Sequence, residues 1–396
     1  MPSRTSSRSG CGVVRYGQGM PDERPEGGYD WLYGSGSDPR PTTVQPTEPR
    51  GDDLPPPNLP PPGTPGGGGG RSRPPRKRSG RRTLRIVLIL LLAWIVFLVA
   101  VPIWAWSQLS TVDADPEGDR PEGQPGATYL LVGSDSRKGL TKEERRDLKT
   151  GKDTGGRGRT DTILILHTGD GPSVLLSIPR DSLVPIEGYG TTKINAAYAF
   201  GGPELLVQTI EQSTGLEIDD YVEIGFGGLV KVVDALGGVE ICPKKALKDK
   251  DAGLNIEKGC QNADGKTALG YSRTRKAHAT GDIQRGQSQR EVLGGIASKA
   301  RSPWTVINPV RYFRVNSGAA SSVQVGEGMG PIALTRFALA LSSAMGGGGL
   351  NCTVPIADFS VRWDRERALR MFGHIKNDRT DQIGDLCTKD GLPKGS

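Results

Sequence analysis

The chain has 396 residues, 57 of them glycine and 30 proline, with a formal net charge of +7. Length alone would allow two or three ordinary domains, but glycine and proline crowd into the first third, so only the remainder can pack a core. A Cys/His metal centre is excluded by spacing, because His167, His278 and His374 stand at no ligand distance in sequence from the five cysteines.

Residues 1–83 contain almost no apolar runs and carry the block LPPPNLPPPGTPGGGGG at 54–70. Such a composition cannot bury enough surface to offset chain entropy, so a disordered cytoplasmic tail is expected. Pro55–Pro62 has PxxP-type spacing, although a solvated spacer accounts for it more simply.

Residues 86–106 (IVLILLLAWIVFLVAVPIWAW) form an uncharged stretch of 21 residues. A membrane-spanning helix needs about 20, and one is expected over 84–107. Pro102 is tolerable near its end, and Trp104 and Trp106 suit the headgroup boundary. Its length, its depth in the chain and the lack of a small-x-small exit argue against a cleaved signal peptide. Before it comes RSRPPRKRSGRR at 71–82; after it, 107–126 is acidic and contains Pro and Gly. The positive-inside rule then places the N-terminus in the cytoplasm and everything after Gln108 outside. The basic run is better explained by topology and anionic membrane lipid than by nucleic acid, which is not an expected partner.

Cys11 falls in the tail, whereas Cys242, Cys260, Cys352 and Cys387 fall outside, an even number in an oxidising compartment. Two disulfides are expected. Cys242–Cys260 and Cys352–Cys387 are preferred because each closes a local loop, but four cysteines allow three connectivities.

Beyond a linker at 108–126, short apolar runs alternate with helical periodicity over 127–396. This predicts a single extracytoplasmic α/β/α domain with a central mixed sheet. Strands are expected at Thr128–Val132, Thr162–His167, Ser173–Ile178 and Val239–Cys242. Helices are expected at Pro203–Thr214, Phe226–Leu236, Ile283–Ala300, Pro331–Met345 and Asp364–His374, the last with Asp364 at its N-cap.

Charged residues gather at strand ends: Gly133–Arg137 after the first strand, Arg159–Asp161 before the second, and Pro179–Asp181 after the third. Ligands of open α/β sheets bind at such edges. A second concentration, YSRTRKAHATGDIQRGQSQR at 271–290, holds Arg273, Arg275, Lys276, Arg285 and Arg290 with few acids. Arg273 and Arg275, two apart, would share one side of an extended segment, and Arg285 and Gln289, four apart, one face of a helix. Planar paired donors of this kind suit phosphate or pyrophosphate oxygens.

These motifs resemble, in order, those of the LytR-CpsA-Psr family of envelope glycopolymer phosphotransferases. The resemblance rests on LLVGSDSR (130–137), GRTDTILIL (158–166), LSIPRDSLVPI (176–186), TKINAAYAFGG (192–202), DALGGVEI (234–241) and ALGYSRTR (268–275) with the following Asp, Arg and Gln. The Cys242/Cys260 pair also resembles a disulfide common in actinobacterial members. The resemblance implies a magnesium (or manganese) site at Asp135 and Asp161. It implies phosphate contacts from Arg159, Arg180, Lys193, Arg273, Arg275, Arg285 and Gln289, with Asp135, Arg159, Asp161, Arg180 and Arg275 as the catalytic set. The implied reaction moves a glycan from a polyprenyl-pyrophosphate carrier to a hydroxyl of peptidoglycan. The alternatives are a polyprenyl-pyrophosphate hydrolase and a non-catalytic protein that binds lipid-linked glycan. Ser288, Gln289 and Arg290 stand where the family often has Arg-Gln-Gln, and Gln284 where a glycine is usual. Arg290 is expected to return, from a different angle, the cation that Ser288 lacks.

Overall fold

The computed structural model describes residues 80–137, 140–151, 158–274, 282–358 and 361–393. Residues 1–79 of the expected tail, with Cys11, and Arg275 lie outside the described residues, whereas residues 80–83, expected in the tail, begin the first helix.

Helix α1 (Gly80–Trp106) comes first, and its stretch Arg81–Trp106, with a mean hydropathy of 3.2 in its most apolar window, is long and apolar enough to cross a membrane. There follow β1 (Ser110–Val112), β2 (Ala127–Ser134), α2 (Lys142–Asp147), β3 (Thr160–Thr168), β4 (Val174–Ser177), β5 (Leu183–Ile186) and β6 (Gly190–Lys193). Next are α3 (Asn195–Thr214), β7 (Asp220–Ile224), α4 (Phe226–Ala235), β8 (Val239–Ile241), β9 (Leu247–Asp249), β10 (Leu254–Ile256) and β11 (Gln261–Ala263). The last group is α5 (Gly265–Arg273), α6 (Asp282–Ala300), α7 (Pro303–Ile307), α8 (Pro309–Ala320), β12 (Val323–Gly326), α9 (Pro331–Met345), β13 (Leu350–Thr353) and α10 (Arg365–Lys376).

Seven strands form one mixed sheet in the order β1-β12-β7-β2-β3-β4-β13. Side chains alternate across it, so Leu130, Val132, Ile163 and Ile165 enter one core with Leu206, Ile210, Met371 and Phe372 of α3 and α10. Tyr129, Leu131, Leu164 and Leu166 enter a second core with Phe337, Ala340 and Ala344 of α9. The result is the α/β/α layering expected. Because both faces are covered, the central strands read as continuous apolar runs rather than alternating ones.

Several elements differ from expectation for local reasons. The first residues of the expected linker form β1, which pairs in parallel with β12 at the sheet edge. Val239–Ile241 is a strand, but it pairs with β11 in a separate two-stranded ribbon. Helix α3 begins at Asn195, eight residues before the expected start. Its two halves meet at Gly202, whose φ of 79° is open to glycine and closed to most other residues, and Pro203 starts the second half. Helix α10 does have Asp364 as N-cap, its carboxylate accepting from the Arg367 amide at 3.2 Å.

Both preferred disulfides are present. Cys242–Cys260 closes the β8–β11 ribbon, and Cys352–Cys387 ties β13 to the C-terminal segment. Loops of 18 and 35 residues correspond to about 3 and about 4 kcal/mol of lost unfolded-state entropy.

Candidate functional site

β2, β4 and β7 run in one direction, since β2 pairs in parallel with β7 and antiparallel with β3, which pairs antiparallel with β4. Their carboxyl ends therefore converge with the start of β3, the edge at which the charged clusters were expected to meet. The β2–β3 ladder skips at that edge: Gly133 faces Thr162 and Ser134 faces Thr160, leaving Asp161 as the extra, bulged residue. A bulge bends its strand and re-aims a side chain. Here it turns the Asp161 carboxylate into a cleft.

The cleft has two chambers. One, of about 570 Å³, is walled mainly by apolar groups: Leu131 of β2, Phe226 and Leu229 of α4, Leu269 of α5, and Val292 and Leu293 of α6. The other, of about 420 Å³, is lined by Arg180, Arg285, Arg290 and Thr353 together with the Ser177–Pro179 backbone region. Asp161, Thr162 and Gln289 line both and mark the junction. Helix α6 spans the two, with Arg285 and Gln289 on its first turns and Val292 and Leu293 further along, as i, i+4, i+7 spacing allows.

Asp161 accepts from the Arg180 guanidinium at 2.7 Å, and the Arg285 guanidinium stands 3.9 Å away. Arg285 is only 3% exposed. Arg273 lines the apolar chamber, lies over the Phe226 ring at 5.0 Å, and donates to the Leu148 and Lys149 carbonyls at 3.1 and 3.2 Å. Burial lowers its pKa, opposed by the nearby Asp161 carboxylate and, more weakly, Asp135. Arg273 ends helix α5 and so does not sit in an extended segment as expected; hydrogen bonding from Gly265 onward, started by the Asp264 cap, carries the helix through it.

Asp135 follows β2 and is coupled to Arg159 through the backbone: its carboxylate accepts the Arg159 amide at 2.6 Å, while its own amide donates to the Arg159 carbonyl at 2.9 Å. The Arg159 side chain is exposed. Gly158 leaves room for this pair: a Cβ there would push against the Asp135 carboxylate, which would have to shift. Lys193, on β6, bonds to Asp181 at 2.8 Å, and Arg180 lies 3.8 Å from the same carboxylate. Among the described residues, Asp135, Arg159 and Lys193 are not part of either chamber wall.

Arg290 departs from expectation. It is buried, and its guanidinium donates to the Cys352 carbonyl at 3.2 Å, Thr353 Oγ1 at 3.0 Å and the Lys389 carbonyl at 2.6 Å. Burial pulls its pKa down to about 10, so it remains charged at neutral pH. It holds β13 and the C-terminal segment against α6 while lining the arginine-rich chamber, so its charge reaches that chamber with its guanidinium donors already engaged by the protein.

A buried acid missed in the sequence lies beneath the site. Glu223 of β7 accepts from the Tyr198 hydroxyl at 2.8 Å and the Tyr221 hydroxyl at 2.7 Å, and Tyr198 also meets the Ser134 side chain. Burial first, then the Glu223 charge, pushes both phenols well above their usual range. Nothing in the linear spacing of Ser134, Tyr198, Tyr221 and Glu223 could have joined them.

Among the described residues no three His, Cys, Asp or Glu side chains form a metal cage. Asp135 and Asp161 are the carboxylates that a magnesium ion would use, since that ion is commonly held by one or two carboxylates plus substrate phosphate and water. Each carboxylate uses one oxygen, Oδ1, for its hydrogen bond to the protein.

The model of the LytR_cpsA_psr family matches residues 108–325. A probable cell wall biosynthesis protein, LcpB of Corynebacterium glutamicum, is 48% identical over 290 residues, covering 71% of this chain and 68% of that protein. The polyisoprenyl-teichoic acid–peptidoglycan teichoic acid transferase TagT of Bacillus subtilis is 35% identical over 188 residues, 46% of this chain and 54% of its own length. Among solved structures, the LytR-Csp2A-Psr enzyme from Actinomyces oris shares the fold, with a TM-score of 0.54 and 20% identity over 68% of this chain and 96% of that one. With more than half of its length inside the matched region, and the bulged Asp161 and its arginines all within it, this chain belongs to the LytR_cpsA_psr family.

Proposed function

We propose that the chain transfers a phosphate-linked glycopolymer from a polyprenyl-pyrophosphate carrier to a hydroxyl of peptidoglycan during cell-wall assembly. The observation that carries this reading is the pairing of an apolar chamber with an arginine-lined one across Asp161, Thr162 and Gln289. Only an amphipathic ligand with an anionic head uses both. A polyprenyl chain suits the first, and pyrophosphate oxygens suit the planar donors of Arg180 and Arg285 in the second. The names of relatives such as TagT agree with it.

In this mechanism the acceptor hydroxyl attacks the phosphorus nearer the glycan. The bond from that phosphorus to the bridging oxygen breaks and polyprenyl phosphate leaves, the hydroxyl proton passing to the released phosphate or to solvent. Phosphoryl transfer asks for positioning and charge neutralisation more than for covalent help. Arg180 and Arg285 orient the phosphate oxygens, Gln289 adds a neutral donor at the junction, and Arg273 supplies positive charge from the apolar side. Arg275, in the motif ALGYSRTR at 268–275, would join them. Asp135 and Asp161 would hold a magnesium ion, which when bound supplies further neutralisation of oxygen charge. Helix α1 anchors the chain in the membrane, with the basic run before it on the cytoplasmic side and the domain outside.

The test is product analysis with the full-length protein in detergent, a polyprenyl-pyrophosphate-linked glycan and purified peptidoglycan. A glycan–phosphate–wall adduct together with polyprenyl phosphate supports transfer. Free glycan phosphate with no adduct makes the chain a hydrolase, and bound but unchanged donor makes it a binding protein; either result overturns the proposal.

A further inference from the structure

Helix α1 is not a bare tether. Its buried or half-buried positions Trp94, Phe97, Leu98, Val101 and Ala105 recur at helical spacing, and apart from Trp106 at its end the rest of the span is exposed. That stripe faces α8. The Tyr312 hydroxyl donates to the Leu98 carbonyl at 2.8 Å, the Phe97 and Tyr312 rings are 5.9 Å apart, and Trp104 stacks on Phe313 at 5.3 Å.

Depth follows from this contact. Leu98 lies eight residues before the last residue of α1, Trp106, or about 12 Å along the axis at 1.5 Å per residue. Half of a bilayer's hydrocarbon is about 15 Å thick. If α1 crosses, the residues touching Leu98 lie within the leaflet. The outward surface of α7 and α8 is built for that place: Trp304, Val306, Ile307, Val310 and Phe313 are all exposed, Ile307 by 61%. From 292 to 326 the chain carries four basic residues and no acidic one; Arg301 and Arg314 are exposed, whereas Arg311 turns towards α4. Apolar and aromatic side chains interleaved with cations, on an interfacial helix, match acyl chains below and anionic headgroups above.

We infer that α7 and α8 form a seat, embedded in the outer leaflet beside α1, that fixes the domain against a bilayer containing anionic lipid. The seat is rigidly joined to the cleft. Arg311 donates to the Leu236 carbonyl at the end of α4, and Gly318 lets α8 approach α4 closely, a Cβ there lying 3.3 Å from that of Ala235. The opposite end of α4 supplies Phe226 and Leu229 to the apolar chamber. The domain therefore cannot swing freely on its linker, and the wall of the apolar chamber is held at a set distance from the membrane. The inference rests on α1 spanning the bilayer and is independent of what the cleft binds.

The test places single nitroxide labels in the full chain with Cys11→Ser, reconstituted in phosphatidylcholine–phosphatidylglycerol vesicles. Label sites are Ile307→Cys, Val310→Cys, Ile95→Cys on α1 and Glu366→Cys on α10. All are exposed positions, so folding is not at risk. Relaxation by oxygen and by a nickel chelate gives a depth parameter at each. The expected result is a positive value at 307 and 310, of the same sign as at 95, and a negative value at 366. Labels at 307 and 310 as open to nickel as 366 would overturn the seat, and shielding from both reagents would overturn it in favour of a protein partner on this face. An aqueous label at 95 would overturn it by a different route, by showing that α1 does not span.

Discussion

Replacing Arg285 tests the phosphate clamp most directly. The side chain is buried, lines the arginine-rich chamber and stands 3.9 Å from Asp161, while Arg180 holds that carboxylate more closely at 2.7 Å. Arg285→Gln therefore leaves Asp161 with its nearer partner but removes one charge-assisted donor from a bound phosphate. Such a contact is worth about 1.5–3 kcal/mol. At 1.36 kcal/mol per factor of ten, kcat/KM for glycopolymer transfer should fall by about 10- to 150-fold. Arg285→Lys should recover only part of this, because an ammonium keeps the charge but loses the planar pair of donors. Gln289→Ala, one turn along α6, removes a neutral donor worth about 0.5–1.5 kcal/mol and should cost several-fold. The assay is initial-rate transfer from a polyprenyl-pyrophosphate donor, with thermal melting of each variant to verify the fold. Unaltered kcat/KM in both Arg285→Gln and Gln289→Ala, with unaltered melting, would refute the placement of the phosphates in this chamber.

Three further outcomes are expected. Asp135→Asn keeps an acceptor for the Arg159 amide but removes an anionic ligand, so the magnesium concentration for half-maximal transfer should rise; an unchanged midpoint would remove Asp135 from the metal site. Burial, with Asp219 and Asp115 nearby, raises the Asp220 carboxyl to about 6, so its contribution to stability is full below its ordinary value and is lost as pH rises through about 6. Asp220→Asn should accordingly stabilise the protein at pH 8 by about 1 kcal/mol, after allowance for screening of this half-exposed group, and have little effect at pH 3.5. Equal shifts in denaturation midpoint at both pH values would contradict that. Burial lowers His167 despite Asp378, so stability should be full above about 6.5 and decline as pH falls below it. His167→Gln should flatten the decline between pH 7 and 5 in urea unfolding, and an unchanged slope would acquit this histidine.

The layering and the central strands were legible in the sequence because burial on both faces leaves a run such as TILILH no polar position. Arg285 and Gln289 were legible because four residues is one helical turn. The bulge at Asp161 was not, since a one-residue slip between β2 and β3 exists only in their pairing. Nor were β1, β12 and β13, strands of three or four residues whose existence depends on edges supplied by distant segments. The bonding role of Arg290 was hidden for a related reason: it lies one position beyond Gln289 in sequence, yet a step of one residue turns a helix by about 100°. That rotation aims it at the carbonyls of β13 and Lys389.

The same geometry explains how a cationic chamber is sustained inside a folded domain. Its wall carries Arg180, Arg285 and Arg290 against the single carboxylate of Asp161, an arrangement that burial disfavours unless each charge is held by hydrogen bonds. The surrounding frame is stiff where those charges sit. Arg290 fixes α6 to β13, the Cys352–Cys387 bridge fixes β13 to the C-terminal segment, and Glu223 of β7 holds the Tyr198 hydroxyl of α3, which also meets Ser134 of β2. Rigid elements therefore meet at the bulge from three sides. A phosphate entering there encounters donors already in place, so its binding energy goes into charge neutralisation rather than into ordering the site, which is the condition under which electrostatic preorganisation accelerates transfer.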